Sequence, residues 1–531
     1  MQEKKMKVLV SDNLGDIGVQ MFKDEKWMEV DVKTGLKPEE LKSIIGEYDG
    51  IAIRSATKIT EDLLEAATNL KVIGRAGIGL DNVDIPAATK RGIVVMNTPD
   101  GNVITTAEHA ISMMMALTRN IPWGTMTLKN GKWEKKNLQG RELFEKKLGI
   151  IGYGKIGSIV ADRARGLKMK VMIYDPFVVP EVVQKQGYEH VSLDELYANA
   201  DYITVHVPKM KTTMNLLNKE AFDKMKDGVM VINCARGGIV NEADLYEAMK
   251  SGKVMGAALD VFETEPPGES PLFQFDRFIC TPHLGASTKE AQTNVAVGVA
   301  RQIIAYLKTG TIINAVNVPS VTGDLLERIG PYLKLAENMG RLHAQIAKGP
   351  IKEVIIEYNG DFNGMDTSPI KTAAIKGLLQ PMVNEMVNFV NAPYLAKDRG
   401  IVIKETKNSE SMDYTSMVTM TAVADEKTNV VCGTIFGKSD PRIVKINNFR
   451  LELIPDGNLV LIHNIDRPGA IASITTKIAE HGINIGRMQV GQDIDGDRNI
   501  IFIQTDSVIS DSVMDEIRSL PLVKTVTRLE F

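Results

Sequence analysis

The chain has 531 residues, too many for one hydrophobic core, and ordinary domain sizes divide it into about three or four domains. Its 44% hydrophobic and 24% charged residues are ordinary globular values, and 63 basic against 67 acidic residues, a net charge of −4, argue against a nucleic-acid partner. No apolar run reaches the roughly 20 residues of a membrane-spanning helix, and Cys234, Cys280 and Cys432 are too widely separated for a disulfide framework or a zinc site. No metal is expected, and Cys234 and Cys280 read as small buried fillers. The start, Met1 to Val10, turns directly into a strand without a signal peptide, so a cytoplasmic protein is expected.

Short apolar runs at Lys7 to Val10, Gly50 to Ile53, Val72-Ile73 and Ile93 to Val95 alternate with helical stretches such as Glu61 to Thr68, the pattern of parallel α/β units. Thr105-Thr106-Ala107-Glu108 then reads as a capping box opening a long helix through Ile111, Met114 and Met115, a stripe suited to a core or a subunit interface.

The most informative stretch follows. Leu148 to Ile151 is an apolar strand running into Gly152-Tyr153-Gly154-Lys155-Ile156-Gly157, a glycine fingerprint before a helix expected from Ser158 to about Leu167. Gly152 permits the tight turn, Gly154 lets the backbone approach a pyrophosphate, and Gly157 lets the helix pack on the strand. A second strand, Lys170 to Tyr174, ends at Asp175, eighteen residues past Gly157, where a carboxylate can hold a ribose 2′-hydroxyl. Strands recur at Tyr202 to Val207, Val229 to Asn233, Met255 to Asp260 and Phe278 to Thr281, with a helix at Asp244 to Lys250, which completes a doubly wound sheet binding a dinucleotide. A helix near Gly298 to Leu307 leads to Ile313 to Val318, where the chain returns to its first domain before a hinge at Pro319.

Residues 320–450 mix helices (Leu325 to Lys348, Ile370 to Val390) with strands such as Lys352 to Tyr358 and Val430 to Phe436. From Leu459 a βαββαβ order follows, with helices Gly469 to His481 and Ser510 to Leu520 between strands Leu459 to Ile465, Asn484 to Val490, Asn499 to Gln504 and Val523 to Leu529. Ile471, Ile474 and Ile478, and Val513, Ile517 and Leu520, give each helix one apolar face for the sheet.

Three segments lie at strand ends of the dinucleotide sheet: Asn233 to Gly238 with Arg236, Asp260 to Pro267 with Glu265, and Thr281 to Thr288 with His283. Such crevices hold ligands in open α/β sheets. An Arg flanked by glycines presents a fork to a carboxylate, a His carries protons near neutral pH, and a buried Glu orients it; together they suit hydride transfer. Each alone has a plainer reading as a surface ion pair, a loop cap or a structural histidine.

These segments, with Arg54-Ser55-Ala56-Thr57 and Gly74 to Gly79, resemble the D-isomer-specific 2-hydroxyacid dehydrogenase family in its long form with two C-terminal regulatory domains. The resemblance implies an α/β chain in which a Rossmann-type nucleotide domain (99–284) is inserted in a flavodoxin-like substrate domain (1–98 and 285–318), followed by an α+β intervening domain (319–452) and a ferredoxin-like ACT domain (453–531). It implies catalytic Arg236, Glu265 and His283. It also implies NAD contacts at Gly152, Gly154, Lys155, Ile156, Gly157, Asp175, Cys234, Ala235, Asp260 and Gly285. Ile78 and Val207 stand where relatives carry Thr, so hydroxyl contacts are not expected there.

The implied reaction is NAD-dependent oxidation of 3-phospho-D-glycerate to 3-phosphohydroxypyruvate, the first step of L-serine synthesis, by a homotetramer. Substrate contacts are expected at Arg54, Ser55, Arg75, Gly77 and Lys135, the last within a cluster with Lys132 and Lys136. L-Serine is the expected effector, held by Asn464, Asp466 and Asn484. The rival readings are a glyoxylate or hydroxypyruvate reductase, which the long tail disfavours, and an NAD-responsive binding protein without enzymatic activity.

Overall fold

Apolar strands alternating with one-faced helices have to stack in layers, and in the computed structural model they form three sheets. Residues 5–318, 324–362, 364–383, 386–410, 414–425, 427–493 and 498–531 are described; the expected hinge at Pro319 lies outside them. The first sheet has five parallel strands in the spatial order Met28–Val32, Met6–Val10, Gly50–Ile53, Val72–Arg75, Val94–Asn97, the flavodoxin-like order. Helix Lys289–Thr309 returns to this sheet, where Val295, Val299 and Ile303 join Val8, Val10 and Val72 in one core. Ala315 bridges to Met96, so the chain does come back to its first sheet.

The second sheet is parallel throughout. Its order is Phe278–Cys280, Val254–Leu259, Val229–Asn233, Tyr202–Val205, Lys147–Ile151, Lys170–Tyr174, Glu189–His190. Chain order reverses at Lys147–Ile151, and a crevice for a ligand opens beyond the strand ends at such a point. Two local expectations need correction. The long helix runs Val103–Thr118, so Thr105 sits inside it rather than capping it, with its hydroxyl bonded to Thr288 Oγ1 at 3.2 Å. The fingerprint helix begins at Lys155, not Ser158, which puts Gly157 within its first turn.

The third sheet has ten strands and runs without a break from Val402–Asn408 to Val523–Glu530. Strand Phe449–Leu453 pairs with Ile485–Asp493 through Phe449↔Asp493 and Arg450↔Gln492, joining the βαββαβ unit to the block before it. The two share one core, in which Leu459, Leu461, Ile500, Phe502 and Leu529 pack with Leu335, Leu342, Val354 and Ile443. The helix expected from Ile370 to Val390 stops at Leu379, just before Pro381, and a separate helix spans Ala392–Asp398. Between them a turn docks on the first sheet: Asn388 donates to the Gly92 carbonyl at 2.8 Å and Val390 is buried in the first sheet's core.

His343 is fully buried in the tail, its Nε2 donating to the Met420 carbonyl at 2.9 Å while Nδ1 has no partner among the described residues. Burial lowers its pKa from 6.5 to about 4. The unfolded chain therefore takes up this proton below pH 6.5 while the native state excludes it until about pH 4. The stability it secures is complete above pH 6.5 and declines as pH falls toward 4, by about 3 kcal/mol at roughly 1.4 kcal/mol per unit. His343→Gln keeps a donor for Met420 and cannot titrate. Denaturant melts of the tail between pH 6.5 and 4 should show a shallower loss for this variant; identical slopes would remove His343 as a source of acid sensitivity.

Candidate active site

The crevice at the switch point is a cleft of about 500 Å³, lined from one side by Arg75, Ile78, Gly79 and Asp81 and from the other by Gly154, Lys155, Ile156, His206, Val207, Cys234, Ala235, Arg236, His283 and Gly285. Gly152 has φ of +96°, which a side chain disfavours, and a Cβ on Gly157 would lie 2.0 Å from the Gly152 carbonyl oxygen. A Cβ on Gly154 would meet no protein atom within 4 Å, so packing does not demand glycine there. It faces the cleft at the start of a helix, where a bare backbone lets a pyrophosphate approach. Asp175 receives the backbone N–H groups of Tyr153 at 2.8 Å and Phe177 at 2.9 Å, which fix its carboxylate beside the fingerprint turn. The residues present fit a dinucleotide.

His283 Nδ1 meets Glu265 Oε2 at 2.8 Å, and Glu265 Oε1 accepts the Phe262 N–H at 3.1 Å. The carboxylate thus holds the ring through one nitrogen and leaves Nε2 for a substrate. Glu265 is not buried as expected: its side chain is 38% exposed, because Pro266 and Pro267 carry the loop to the surface. Beneath them Asp260 is fully buried and engaged by Thr281 Oγ1 at 2.5 Å, the Leu284 and Gly285 N–H groups at 2.7 and 2.8 Å, and His109 Nε2 at 3.2 Å. Burial would push its carboxyl up, but the bonds from His109, Thr281 and Leu284 outweigh it and hold the pKa below the usual value. It anchors the His283 loop from within, and because its side chain is fully buried and does not line the cleft, a direct cofactor contact would need the loop to move.

Cys234 is buried in the cleft wall, and burial above all keeps its thiol protonated. Cys280, expected to be buried, is exposed beside an apolar pocket with Phe262 and Phe273. Lys155 is ion-paired with Asp100.

The expected substrate residues divide. Arg75 lines the cleft, its Nη1 lies over Gly77, and its Nε is buried without a partner among the described residues. Burial, then the charge of Arg236, lowers its pKa to about 10. Arg54 lies one pocket away, beside Asn13 and Lys289, with Nη1 donating to the Asn13 carbonyl at 3.2 Å. Ser55 is exposed nearby. Lys132, Lys135 and Lys136 are exposed beyond helix Ile121–Lys129 and do not line the cleft.

The effector trio is not assembled within one chain. Asn464 is buried opposite Asn499, with Nδ2 donating to the Ile465 carbonyl and Oδ1 unpartnered among the described residues, and Asp466 is exposed next to it. Asn484 is tied by its backbone to Asp506, past the other end of strand Arg498–Thr505, roughly 20 Å away along the strand. Cleft-lining residues that sequence reasoning missed include the polar Asp81, Asn102, His206 and Lys209. Asn102 was legible only as a polar residue before a helix, and the others carry no local signal.

Comparison with known proteins places this geometry. Residues 111–285 match the profile of the D-isomer specific 2-hydroxyacid dehydrogenase NAD binding domain, 328–447 that of the D-3-phosphoglycerate dehydrogenase intervening domain, and 458–522 the ACT domain. The D-lactate dehydrogenase of Aquifex aeolicus, solved with NAD and lactic acid, superposes with a TM-score of 0.52 at 30% identity, covering 59% of this chain and 100% of its own. The chain is thus an NAD-dependent dehydrogenase of the D-isomer-specific 2-hydroxyacid class. The D-3-phosphoglycerate dehydrogenase of Synechocystis sp. is 44% identical over 96% of this chain and 92% of its own length. That of Methanocaldococcus jannaschii is 41% identical over 98% and 99%. The chain belongs to the D-3-phosphoglycerate dehydrogenase family.

Proposed function

We propose that this chain oxidises 3-phospho-D-glycerate to 3-phosphohydroxypyruvate in the cytoplasm, with Arg236, Glu265 and His283 as its catalytic groups. The observation that carries the substrate is the second guanidinium. A small monoanionic hydroxy acid needs one Arg for its carboxylate, whereas Arg75 brings a further, half-desolvated positive charge into the same cleft, repelled by Arg236 and unrelieved at Nε. A substrate that adds a phosphate to its carboxylate offsets that repulsion. In the reaction His283 Nε2 takes the hydroxyl proton, Glu265 stabilises the imidazolium, and Arg236 holds the carboxylate against the reacting carbon. NAD, when bound, supplies the hydride acceptor. Steady-state assays with 3-phosphoglycerate, D-glycerate, glyoxylate and hydroxypyruvate test this reading: kcat/KM should be highest for the phosphorylated substrate, and a preference for an unphosphorylated one would replace it with the reductase alternative.

Gly152, Gly154, Lys155, Ile156 and Gly157 would receive the pyrophosphate, Asp175 the adenosine ribose, and Cys234, Ala235 and Gly285 the far end of the cofactor. The enzyme should prefer NAD over NADP, because a 2′-phosphate would meet the Asp175 carboxylate and Pro176 follows it with no cation adjacent. Comparable kcat/KM values for the two cofactors would refute the role of Asp175.

Arg54, Ser55, Gly77 and Lys135 remain candidate substrate contacts, the last requiring approach from outside its own cleft. The proposed domains are 1–98 with 285–318, 99–284, 319–452 and 453–531, in a homotetramer. L-Serine is the proposed effector, and the distance of Asn484 from Asn464 and Asp466 supports a site completed between two copies.

A further inference from the structure

Arg236 does not project freely into the cleft. Its Nε donates to Asp81 Oδ2 at 3.0 Å and its Nη1 to the Ala235 carbonyl at 2.7 Å. Nη2 lies over Gly79, where a Cβ would come within 2.1 Å of it. Gly79 and Asp81 belong to the loop after strand Val72–Arg75 of the first sheet, whereas Arg236 follows strand Val229–Asn233 of the second, so the bond crosses the cleft. Lys155, at the fingerprint helix, is held in the same manner by Asp100, which precedes helix Val103–Thr118.

We propose that Asp81 is a positioning residue for the reaction: from the opposite wall it fixes the guanidinium plane of Arg236, so that the remaining Nη hydrogens form a ready fork for the substrate carboxylate. An Arg side chain has several rotatable bonds, and holding it in one plane before binding removes an ordering cost that the substrate would otherwise bear. The Nε bond matters most, because it leaves Nη2 and the Nη1 hydrogen not given to Ala235 for bidentate contact. The negative charge of Asp81 also acts against the repulsion between Arg236 and Arg75, and so favours both cations facing one small anion. Because the acid and the arginine sit on different sheets, Arg236 is aimed only when the two walls are in register, which ties substrate binding to closure of the cleft.

The inference rests on assigning Arg236 to the substrate carboxylate, and a double-mutant cycle separates the two ideas. Asp81→Asn, Arg236→Lys and the double variant of the intact enzyme are compared in steady state with NAD and 3-phosphoglycerate, with thermal midpoints measured alongside. Asp81→Asn should lower kcat/KM for 3-phosphoglycerate roughly 10- to 100-fold, mainly through KM, while KM for NAD and the thermal midpoint stay unchanged. Asp81→Glu should recover part of the loss. In the Arg236→Lys background the Asp81 substitution should have almost no further effect, because lysine has no Nε to be held. An unchanged or raised kcat/KM in Asp81→Asn, or an equal loss in the lysine background, overturns the proposal. If Arg236→Lys is itself silent, the assignment of Arg236 falls instead.

Discussion

His283→Asn should lower kcat by roughly 10²–10⁴ while leaving NAD affinity near the wild-type value, since a positioned acid–base group contributes about that much. Asparagine is the better probe than alanine here: His283 has φ of +54°, a left-handed conformation that Asn tolerates more readily than most residues. The variant thus removes the base without straining the loop that Asp260 anchors through the Leu284 and Gly285 N–H groups. Glu265→Gln tests the partner. It keeps one acceptor oxygen, which can serve either the His283 Nδ1–H or the Phe262 N–H but not both, and loses the counter-charge of the imidazolium, so kcat should fall while NAD binding holds. Because the two residues act as one unit, the double variant should be scarcely worse than His283→Asn alone. A kcat within tenfold of wild type in His283→Asn, or fully additive losses, would dissolve the pair as the proton-transfer unit.

What could be read from the chain, and what could not, follows the range of each interaction. The strand and glycines from Leu148 to Gly157 are local, as is the alternation of apolar faces in the βαββαβ unit, and both appear in the fold within a few residues of their expected limits. Strand Met28–Val32 was missed because it is an edge strand whose acids Glu29 and Asp31 interrupt the apolar run. The Thr105 capping pattern misled because Thr-x-x-Glu fits equally well inside a helix. The bond from Arg236 to Asp81 joins residues 155 positions apart, and the exposure of Glu265 depends on how a proline-bearing loop leaves the sheet. Neither leaves a mark in its own segment. For the effector trio, the family resemblance grouped Asn464 with Asn484, but within one chain the sheet sends them to opposite ends of one strand.

The shared third sheet decides where this protein can be cut. Ending the chain after Glu452 would remove Leu459, Leu461, Ile500, Phe502 and Leu529 from the core that surrounds Leu335 and Val354. Full burial of each such side chain is worth about 1.5–3 kcal/mol, so five together approach the whole stability of an ordinary domain. The cut would also strip Gln345 of its paired bonds to the Glu530 N–H at 2.8 Å and carbonyl at 2.9 Å, and would clip strand Phe449–Leu453 by its last residue and bare its edge. Ending after Val318 instead keeps both parallel sheets, helix Lys289–Thr309 and the entire cleft, and gives up the docking of the turn at Asn388 to Val390, with its apolar contacts and the Asn388 bond to the Gly92 carbonyl. The fragment 1–318 should therefore fold, turn over substrate within about tenfold of the intact enzyme and ignore L-serine, a tenfold loss corresponding to only about 1.4 kcal/mol. The fragment 1–452 should instead aggregate or lose the cooperative thermal transition of its tail, despite retaining every residue of the cleft. Calorimetry and size-exclusion chromatography of the two fragments discriminate: if 1–452 is monodisperse and melts with the tail transition intact, the common core contributes little and the last 79 residues (531 minus 452) are an independent unit.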